Sequence, residues 1–410
     1  MTITLLGDWL SDPDNTASEK ALYAAVALTF FCLPLGTAPS TLAGALAAGI
    51  WLFSGIALKR RRIYTASYWW PVFALIVLHW VGMLYTHDTT GIGLEYAEKT
   101  YYWLFGLSVA AISYHRFSAT RLVQAFMLGL GINVLAAIAQ ITFQLPDKYN
   151  QHRGLGPDYS TLSAYLIVGM MMGAFFLNRE HRTKVRIALA GLIGLYFFHF
   201  VILQSRASYV AFVLLAPFIG YTVFKSKKLL KTVGVCLLIP SLMMLSPIVR
   251  TRIAQTVNQL NYHLQTDSKK AWGNTYSRKE ERLYLWNGAL RIIKQHPLVG
   301  VGTGGYQTAL KNIDSDPDVP LMSHPHNNFL HVAVSFGAVG SAVFLWFLYV
   351  TIANSWRHRQ TAEGYMLLSV VLVMVATGIF NTQILDVGTA FLLSLAIGLQ
   401  PSFLGNPADG

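Results

Sequence analysis

The fold is decided by the longest apolar stretch of the chain, HNNFLHVAVSFGAVGSAVFLWFLYVTIANSW (326–356). About 20 apolar residues suffice for a helix to cross a bilayer, and this stretch is longer than that. Because Gly337 and Gly340 interrupt it, we predict a short helix that leads into a full one. A break of this kind is tolerated in a membrane where protein or water shields the backbone.

Apolar runs of similar length recur along most of the 410 residues. The chain is 54% hydrophobic and 12% charged, and ordinary soluble domains carry about twice that charged fraction. We therefore predict an all-α, polytopic membrane protein with about twelve transmembrane helices. The predicted spans are 21–37, 38–58, 68–86, 100–114, 122–143, 161–177, 187–203, 208–224, 232–248, 327–356, 362–380 and 385–403.

The first 20 residues are polar and slightly acidic, without the basic start and short apolar core of a secretory signal. We expect the first span to be retained for that reason. Cys32 and Cys236 both lie in apolar segments, a pattern that predicts neither a disulfide framework nor a cysteine metal site.

The net charge of +12 is concentrated in short clusters between apolar segments, which indicates membrane topology and argues against nucleic-acid binding. Alternate connections are rich in Lys and Arg, and such connections face the cytoplasm. This predicts cytoplasmic termini and an outer segment 249–326, which in a Gram-negative cell lies in the periplasm. The basic connections are KRRR (59–62), HRFSATR (115–121), NREHRTKVR (178–186), KSKKLLK (225–231) and RHR (357–359).

Three parts follow from this topology. Residues 1–248 form an N-terminal bundle of about nine spans, 249–326 a periplasmic loop, and 327–410 a C-terminal bundle of about three spans. The loop contains two apolar patterns at helical spacing, which predict two amphipathic helices followed by the turn-rich HPLVGVGTGGY (296–306). The two patterns are Ile253, Val257, Leu260 and Leu264, and then Leu283, Trp286, Leu290 and Ile293.

His326 stands where this polar loop meets the apolar helix, directly before Asn327. A titratable side chain at a membrane boundary is costly unless it has partners or a role. With a near-neutral pKa, His326 could take a proton from an attacking hydroxyl; the alternative is a helix-start residue bonded to water or backbone. His324 lies two residues before it, but zinc sites need three or four ligands and no carboxylate or cysteine set accompanies the pair. We predict no metal.

Several arginines of the outer face are candidates for holding an anion. Arg206 lies in a connection so short that its charge sits almost within the hydrocarbon region, where it needs an anionic partner. Its alternative is a snorkelling interfacial arginine. Arg278 and Arg282 share one face of a predicted helix, although neighbouring glutamates could pair with them on a solvated surface.

Two further residues are weaker candidates. Arg153 lies in the outer connection YNQHRGLGPDYS (149–160) and could meet sugar or phosphate, although a structured turn is equally consistent with its glycines. Asp386 lies at an outer helix junction and could orient a histidine or bind a hydroxyl, but the favoured alternative is a helix-start acceptor.

Together these residues predict one chemistry. Outer-facing arginines would hold a diphosphate without requiring a divalent metal and would stabilise its charge as it leaves. A sugar hydroxyl nucleophile needs a base, and His326 could be that base. The predicted reaction is glycosyl transfer from a lipid diphosphate at the outer surface of the membrane.

Three ordered blocks resemble the O-antigen ligase and polymerase superfamily of membrane glycosyltransferases. SRASYVAF (205–212) is similar to its arginine block, and RLYLWNGALRIIKQHPLVGVGTGGY (282–306) to its Arg-x-x-x-Trp, His-Pro and Gly-x-Gly region. HNNFLHVAVSFGAVG (326–340) fits the His-Asn-x9-Gly-x-x-Gly pattern typical of the ligases. The blocks cover the second half of the chain, whereas the first half matches only as a hydropathy profile.

The resemblance implies Arg206 and Arg282 for the pyrophosphate, His326 for acceptor activation, and no cofactor. It also implies an undecaprenyl-diphosphate-linked O-antigen as donor, lipid A–core oligosaccharide as acceptor, and a site in contact with membrane lipids. The leading hypothesis is an O-antigen ligase. The alternatives are a polymerase of lipid-linked repeats, a lipid-carrier transporter or flippase, and a structural scaffold; charge at one face and not at midplane argues against a transporter.

Overall fold

The computed structural model describes residues 15–113, 116–146, 152–223, 228–265, 281–313 and 322–404. Within those ranges the chain forms helices joined by turns and no β-strand, which confirms the predicted all-α class. In chain order the helices are α1 (Ala17–Cys32), α2 (Thr37–Phe53), α3 (Ile56–Lys59), α4 (Arg61–Tyr64), α5 (Trp70–Gly82), α6 (Ile92–Glu98), α7 (Phe105–Ala110), α8 (Arg116–Thr142), α9 (Tyr159–Leu177), α10 (Thr183–Ile202), α11 (Arg206–Val223), α12 (Lys228–Leu245), α13 (Pro247–Gln265), α14 (Glu281–Gln295), α15 (Tyr306–Ile313), α16 (Asn328–Arg357), α17 (Ala362–Gly378), α18 (Val387–Ile397) and α19 (Pro401–Leu404).

Every predicted span overlaps helical residues among those that the structure describes, but the helices differ in length. Among the described helices, six are long and apolar enough to cross a membrane, and α12 with α13, bent by 92°, would make a seventh. Four more apolar helices are shorter: α2, α5 with its preceding turn, α11 and α17. The predicted span 100–114 is a 3-10 segment, Lys99–Leu104, followed by the short α7. The multi-pass character is therefore supported, while a count of twelve stays a prediction.

Helices α16 and α17 lie at the centre of the packing. Helix α16 contacts α5, α14 and α17, and α17 also contacts α9 and α11. Both helices contribute large aromatic side chains that are almost fully buried, among them Phe336, Phe344 and Phe347 of α16 and Tyr365 of α17. Burial of such side chains is among the largest packing contributions available to a helical protein.

Helix α14 confirms a predicted amphipathic helix, and one of its faces packs on α15 and α16. Leu285, Ala289 and Ile292 are completely buried in a small separate core shared with α15 and α16. Leu283 and Leu290, which belong to the predicted apolar pattern, lie outside this core and are 41% and 50% exposed. Apolar residues therefore occur on both sides of this helix, and the neighbouring helices decide which of them are covered.

The predicted break in α16 lies at Gly337, whose backbone is non-helical. Its freed polar groups bond to the turn-rich segment that follows α14. Val301 donates its N–H to the Val334 carbonyl at 2.9 Å, and Ala338 donates to the Pro297 carbonyl at 2.8 Å. The shielding that a broken membrane helix requires is thus supplied by the protein's own loop.

Glycine is needed at this break for two reasons. Gly337 has φ +60°, a left-handed conformation that other residues adopt at a cost. A Cβ atom there would lie 2.3 Å from the backbone of Leu298. The approach of this loop to α16 fixes the direction of the first turns of the helix. Asn327 caps those turns and directly follows His326.

Candidate active site

His326 lies in the turn that leads into α16 and has a left-handed backbone conformation, φ +50°. The next residue, Asn327, is the N-cap of the helix: its Oδ1 accepts a hydrogen bond from the Leu330 N–H at 2.9 Å. Asn327 Nδ2 donates to the Ile379 carbonyl at 2.9 Å, in the turn between α17 and α18. Asn327 therefore fastens the start of α16, and with it the backbone that positions His326.

The tautomer of His326 follows from its neighbour Asn381. Asn381 Oδ1 accepts the Thr382 backbone N–H at 2.9 Å, and its Nδ2 donates to Ser160 Oγ, so the orientation of the amide is fixed. His326 Nδ1 lies 3.4 Å from the same Oδ1 and must carry the hydrogen of that bond. In the neutral ring the lone pair is then on Nε2, which is the atom able to accept a proton.

The surroundings of His326 keep this ring neutral. Burial lowers the pKa of His326, the hydrogen bond to Asn381 opposes that shift, and the positive charge of Arg282 adds to it. A pKa below the ordinary 6.5 leaves the imidazole unprotonated at neutral pH. The ring is thus in the state that a general base requires.

His324 has a different role from its neighbour. Its Nδ1 accepts the backbone N–H of His326 at 3.3 Å, and the two rings meet edge to face with centroids 4.4 Å apart. Burial, together with the neighbouring His326 and Lys99, lowers the pKa of His324 to about 3. A histidine that is always neutral and uses Nδ1 to hold the turn supports the site without serving as its base.

A cavity of about 290 Å³ opens beside these histidines. Helix α6, the turn before α9 and the turn before α18 supply its other walls. Lys99 also lines it and pairs with Glu95 at 2.6 Å. The residues with polar or charged groups include Glu95, Asp158, His324, His326, Asn381 and Asp386.

Two helix caps meet in this cavity. Asp158 caps α9, accepting the Ser160 N–H at 2.8 Å, and Asp386 caps α18, accepting the Gly388 N–H at 3.2 Å. Both carboxyl groups also contact the hydroxyl of Thr161. Burial and the neighbouring charge of Asp158 raise the pKa of Asp386. The predicted alternative for Asp386, a helix-start acceptor, is observed, and the same side chain lines the cavity.

Arg206 and Arg282 lie near one another, although they are far apart in sequence. The positive charge of Arg282 acts on His326 and also on Arg206. Arg206, the first residue of α11, donates from Nη2 to Gln255 Oε1 at 3.1 Å. The structure therefore brings the two arginines and the histidine into one neighbourhood. Arg282 acts electrostatically on each of the other two.

A third arginine joins this cluster. Arg252, on α13, donates from Nε to Gln204 Oε1 at 3.0 Å, and its charge also acts on Arg206. Gln204, Arg252 and Gln255 line a second cavity of about 370 Å³ at the bend between α12 and α13. In the sequence Arg252 is only a weaker candidate, because a basic residue in such a polar stretch is more typical of a contact with lipid headgroups.

Arg153, like Arg206 and Arg282, is not among the residues that line either described cavity. Arg153 lies in a structured turn, as its alternative held: its carbonyl accepts from Asn133 Nδ2 at 3.1 Å, and the next N–H, of Gly154, donates to Gln140 Oε1 at 2.8 Å. Arg278 falls outside the described residues.

Sequence reasoning also missed Asn381 and Asp158 as members of the site. Asn381 lies 55 residues from its partner His326, and nothing in its local sequence distinguishes it from a turn residue. Asp158 has a recognisable signal as a helix cap before an apolar run. That signal predicts the local structure at Asp158 but not the cavity that Asp158 lines.

Comparison with known proteins bears on the same part of the chain. The model of the O-antigen ligase family matches residues 190–345, which confirms the resemblance over that region. The matched region contains Arg206, Arg282 and His326, together with Gly337 and its loop. Asn381 and Asp386 lie beyond it.

A protein of Rickettsia prowazekii named "Putative polysaccharide ligase" is 27% identical over 211 residues. The match covers 46% of this chain and 49% of that relative, so the chain spans about half the length of the curated protein it matches. The family model and this relative are both described as ligases.

Proposed function

We propose that this protein is an O-antigen ligase. It transfers an O-antigen polysaccharide from undecaprenyl diphosphate to a hydroxyl of lipid A–core oligosaccharide, without a metal or cofactor, and so completes lipopolysaccharide. The observation that carries the proposal is the neutral His326, whose Nε2 is left to accept a proton while Arg282 acts electrostatically on the same ring.

The reaction needs one bond made and one broken. The acceptor oxygen bonds to the anomeric carbon of the donor sugar, while the bond from that carbon to the diphosphate oxygen breaks. The diphosphate leaves with the electron pair, and His326 Nε2 takes the proton of the acceptor hydroxyl. Arg206 and Arg282 stabilise the charge that develops on the leaving group.

The proposal includes a place in the cell. The basic connections favour a multi-pass protein with cytoplasmic termini and a site on the outer face of the membrane. Since the proposed product is lipopolysaccharide, that membrane is the inner membrane of a Gram-negative cell and the site faces the periplasm. Residues 249–326 then form the periplasmic loop between bundles 1–248 and 327–410. Membrane lipids, the lipid-linked glycan and the core oligosaccharide are its partners.

A deletion strain separates ligation from polymerisation. We expect bare lipid A–core, with long polymer accumulating on undecaprenyl diphosphate, because the polymer is made but has no route to its acceptor. Gel analysis of lipopolysaccharide and of extracted lipid-linked glycan measures both. Core that carries a single repeat would identify a polymerase, and an unchanged pattern would remove the protein from this pathway.

Arg206→Gln tests the diphosphate contact. Loss of one charged donor to the leaving group should lower kcat/KM for the lipid-linked donor by roughly 10- to 100-fold, the range expected for a hydrogen bond to a charged group. The purified protein, a lipid-linked donor and core acceptor suffice for the measurement. Arg291→Gln is the matched control, because Arg291 is an exposed arginine of α14 that donates to the Ile313 carbonyl. Equal kinetics for the two variants would exclude Arg206 from donor binding.

A further inference from the structure

The cavity beside His326 has the wrong charge for a diphosphate. Glu95, Asp158 and Asp386 line it, and Lys99 is the basic residue among its lining groups. Lys99 is already paired with Glu95 at 2.6 Å. Even with one of the carboxyls protonated, two carboxylates against one ammonium leave the cavity negative, so an anion placed there would be repelled.

The basic residues lie elsewhere around the histidine. Arg206, Arg252 and Arg282 form a cluster joined by their mutual electrostatic contacts, and none of them lines this cavity. His326 interacts with both groups of residues: it lines the cavity, and the charge of Arg282 acts on its ring. The site is thus divided into a basic part and an acidic part, with the proposed base between them.

The acidic part offers hydrogen-bond acceptors to a ligand. The Thr161 hydroxyl has one hydrogen, yet it contacts the carboxyl groups of both Asp158 and Asp386. One hydroxyl hydrogen can satisfy only one of these carboxyl groups, so the other keeps its acceptor oxygens available. The pair therefore presents several acceptor oxygens, which the O–H groups of a sugar can satisfy.

The remaining lining and size fit the same kind of ligand. Tyr96 donates its hydroxyl hydrogen to Ser323 Oγ at 2.8 Å, and both residues line the cavity with Asn381. A volume of about 290 Å³ corresponds to about ten water molecules at roughly 30 Å³ each. That is the scale of one sugar residue and not of a polysaccharide.

We propose that the cavity lined by Asp158, Glu95 and Asp386 is the subsite for the accepting sugar, which it binds through hydroxyl groups while the donor diphosphate stays on the arginine side of His326. The inference rests on the proposed transfer reaction and adds that the accepting sugar approaches His326 from the side of the cavity. It also names a ligand class: an uncharged or amine-bearing sugar ring, with no phosphate on the ring that enters the cavity.

The Asp158→Asn variant tests this assignment without removing a structural element. Asparagine is as good an N-cap as aspartate, so α9 should keep its start while the side chain loses its charge and its carboxylate oxygens. We expect KM for purified core oligosaccharide to rise about tenfold, as for loss of a hydrogen bond to a charged group, with KM for the lipid-linked donor changed less than twofold. Glu95→Gln should act in the same direction.

Two controls keep the outcome interpretable. Glu180→Gln removes a carboxylate that pairs with Arg182 outside the cavity and should leave both KM values unchanged. Hydrolysis of the donor in the absence of acceptor should be equal in Asp158→Asn and wild type, because water does not need the sugar subsite. The melting temperature of the variant shows whether the cap is intact.

The inference and the function fail in different ways. If the wild-type protein transfers glycan and Asp158→Asn leaves the acceptor KM unchanged, the subsite is wrong while the ligase proposal stands. A rise in the donor KM alone would place the donor in the cavity and reverse the assignment. Absence of transfer by the intact wild-type protein would overturn the proposed function itself.

Discussion

Replacing His326 by asparagine should reduce glycan transfer by roughly 100- to 10,000-fold, the contribution typical of a general base. The physical reason is the loss of Nε2, the atom that the hydrogen bond to Asn381 leaves free to take a proton. Asparagine is the appropriate substitution because His326 has φ +50°, and asparagine tolerates the left-handed region better than alanine does. Steady-state transfer by the purified variant, with donor binding measured separately, gives the result.

The pH dependence of the same reaction provides an independent measurement. Burial and the charge of Arg282 lower the pKa of His326 below 6.5, against the opposing hydrogen bond of Asn381. A base is active when unprotonated, so kcat/KM should be constant at neutral pH and fall as the pH drops through that lowered pKa. His326→Asn should lose this acid limb together with the rate.

His324→Asn is the matched control for the His326 variant. An asparagine oxygen can still accept the backbone N–H that His324 Nδ1 accepts, so this change should cost less than about tenfold in transfer. Full transfer by His326→Asn that also retains donor binding would exclude the proposed base. A larger loss in the His324 variant would move the base to that residue.

Gly337→Ala should lower the free energy of unfolding by about 2–5 kcal/mol, as the sum of backbone strain and overpacking. The new Cβ would lie 2.3 Å from the backbone of Leu298, at a residue with φ +60°. Relief requires α16 and the 297–302 loop to move apart, which breaks the hydrogen bonds that satisfy the helix break. Thermal unfolding in detergent, followed by size-exclusion chromatography of the heated protein, measures the loss.

The same substitution at another glycine of a membrane helix is the control. Gly194 lies within α10, and a Cβ there would meet no atom within 4 Å. Gly194→Ala should therefore leave stability unchanged or raise it by up to about 1 kcal/mol, the difference in helix propensity. If Gly337→Ala were equally harmless, the close approach of the loop would not constrain the helix.

A disturbed helix break at Gly337 should also lower the rate of glycan transfer. The first segment of α16 begins at the Asn327 cap, which is tied to the Ile379 carbonyl and adjoins His326. A shift of that segment would move His326 relative to Asn381, whose Oδ1 is already 3.4 Å away. Transfer should fall in Gly337→Ala even at temperatures where the protein remains folded.

Much of the local architecture was predictable from sequence. Apolar runs and their basic connections gave helices at every predicted span, because a backbone in lipid must satisfy its own hydrogen bonds and a helix does so locally. Gly337 likewise indicated a break in α16. His326 was recognisable because a polar side chain at the start of an apolar helix is costly without partners.

Other features depend on contacts between distant parts of the chain. Thr161 meets Asp386 across 225 residues, and neither residue has a local pattern that names the other. Asp158 and Asp386 each follow the sequence pattern of an ordinary helix cap, and each is one. The side of α14 that other helices cover could not be predicted for a related reason: periodicity reports which residues share a face and not which face meets a partner.

The sequence by itself determined the helical class, the break at Gly337 and the histidine at the start of α16, since these follow from hydropathy, backbone conformation and the cost of burying polar groups. The tertiary structure decided what that histidine can do. Asn381 selects its tautomer, Arg282 and burial keep it neutral, and the convergence of two helix caps gives its cavity an acidic wall. These properties arise between side chains brought together by packing, and packing is set by the whole fold and not by any single segment.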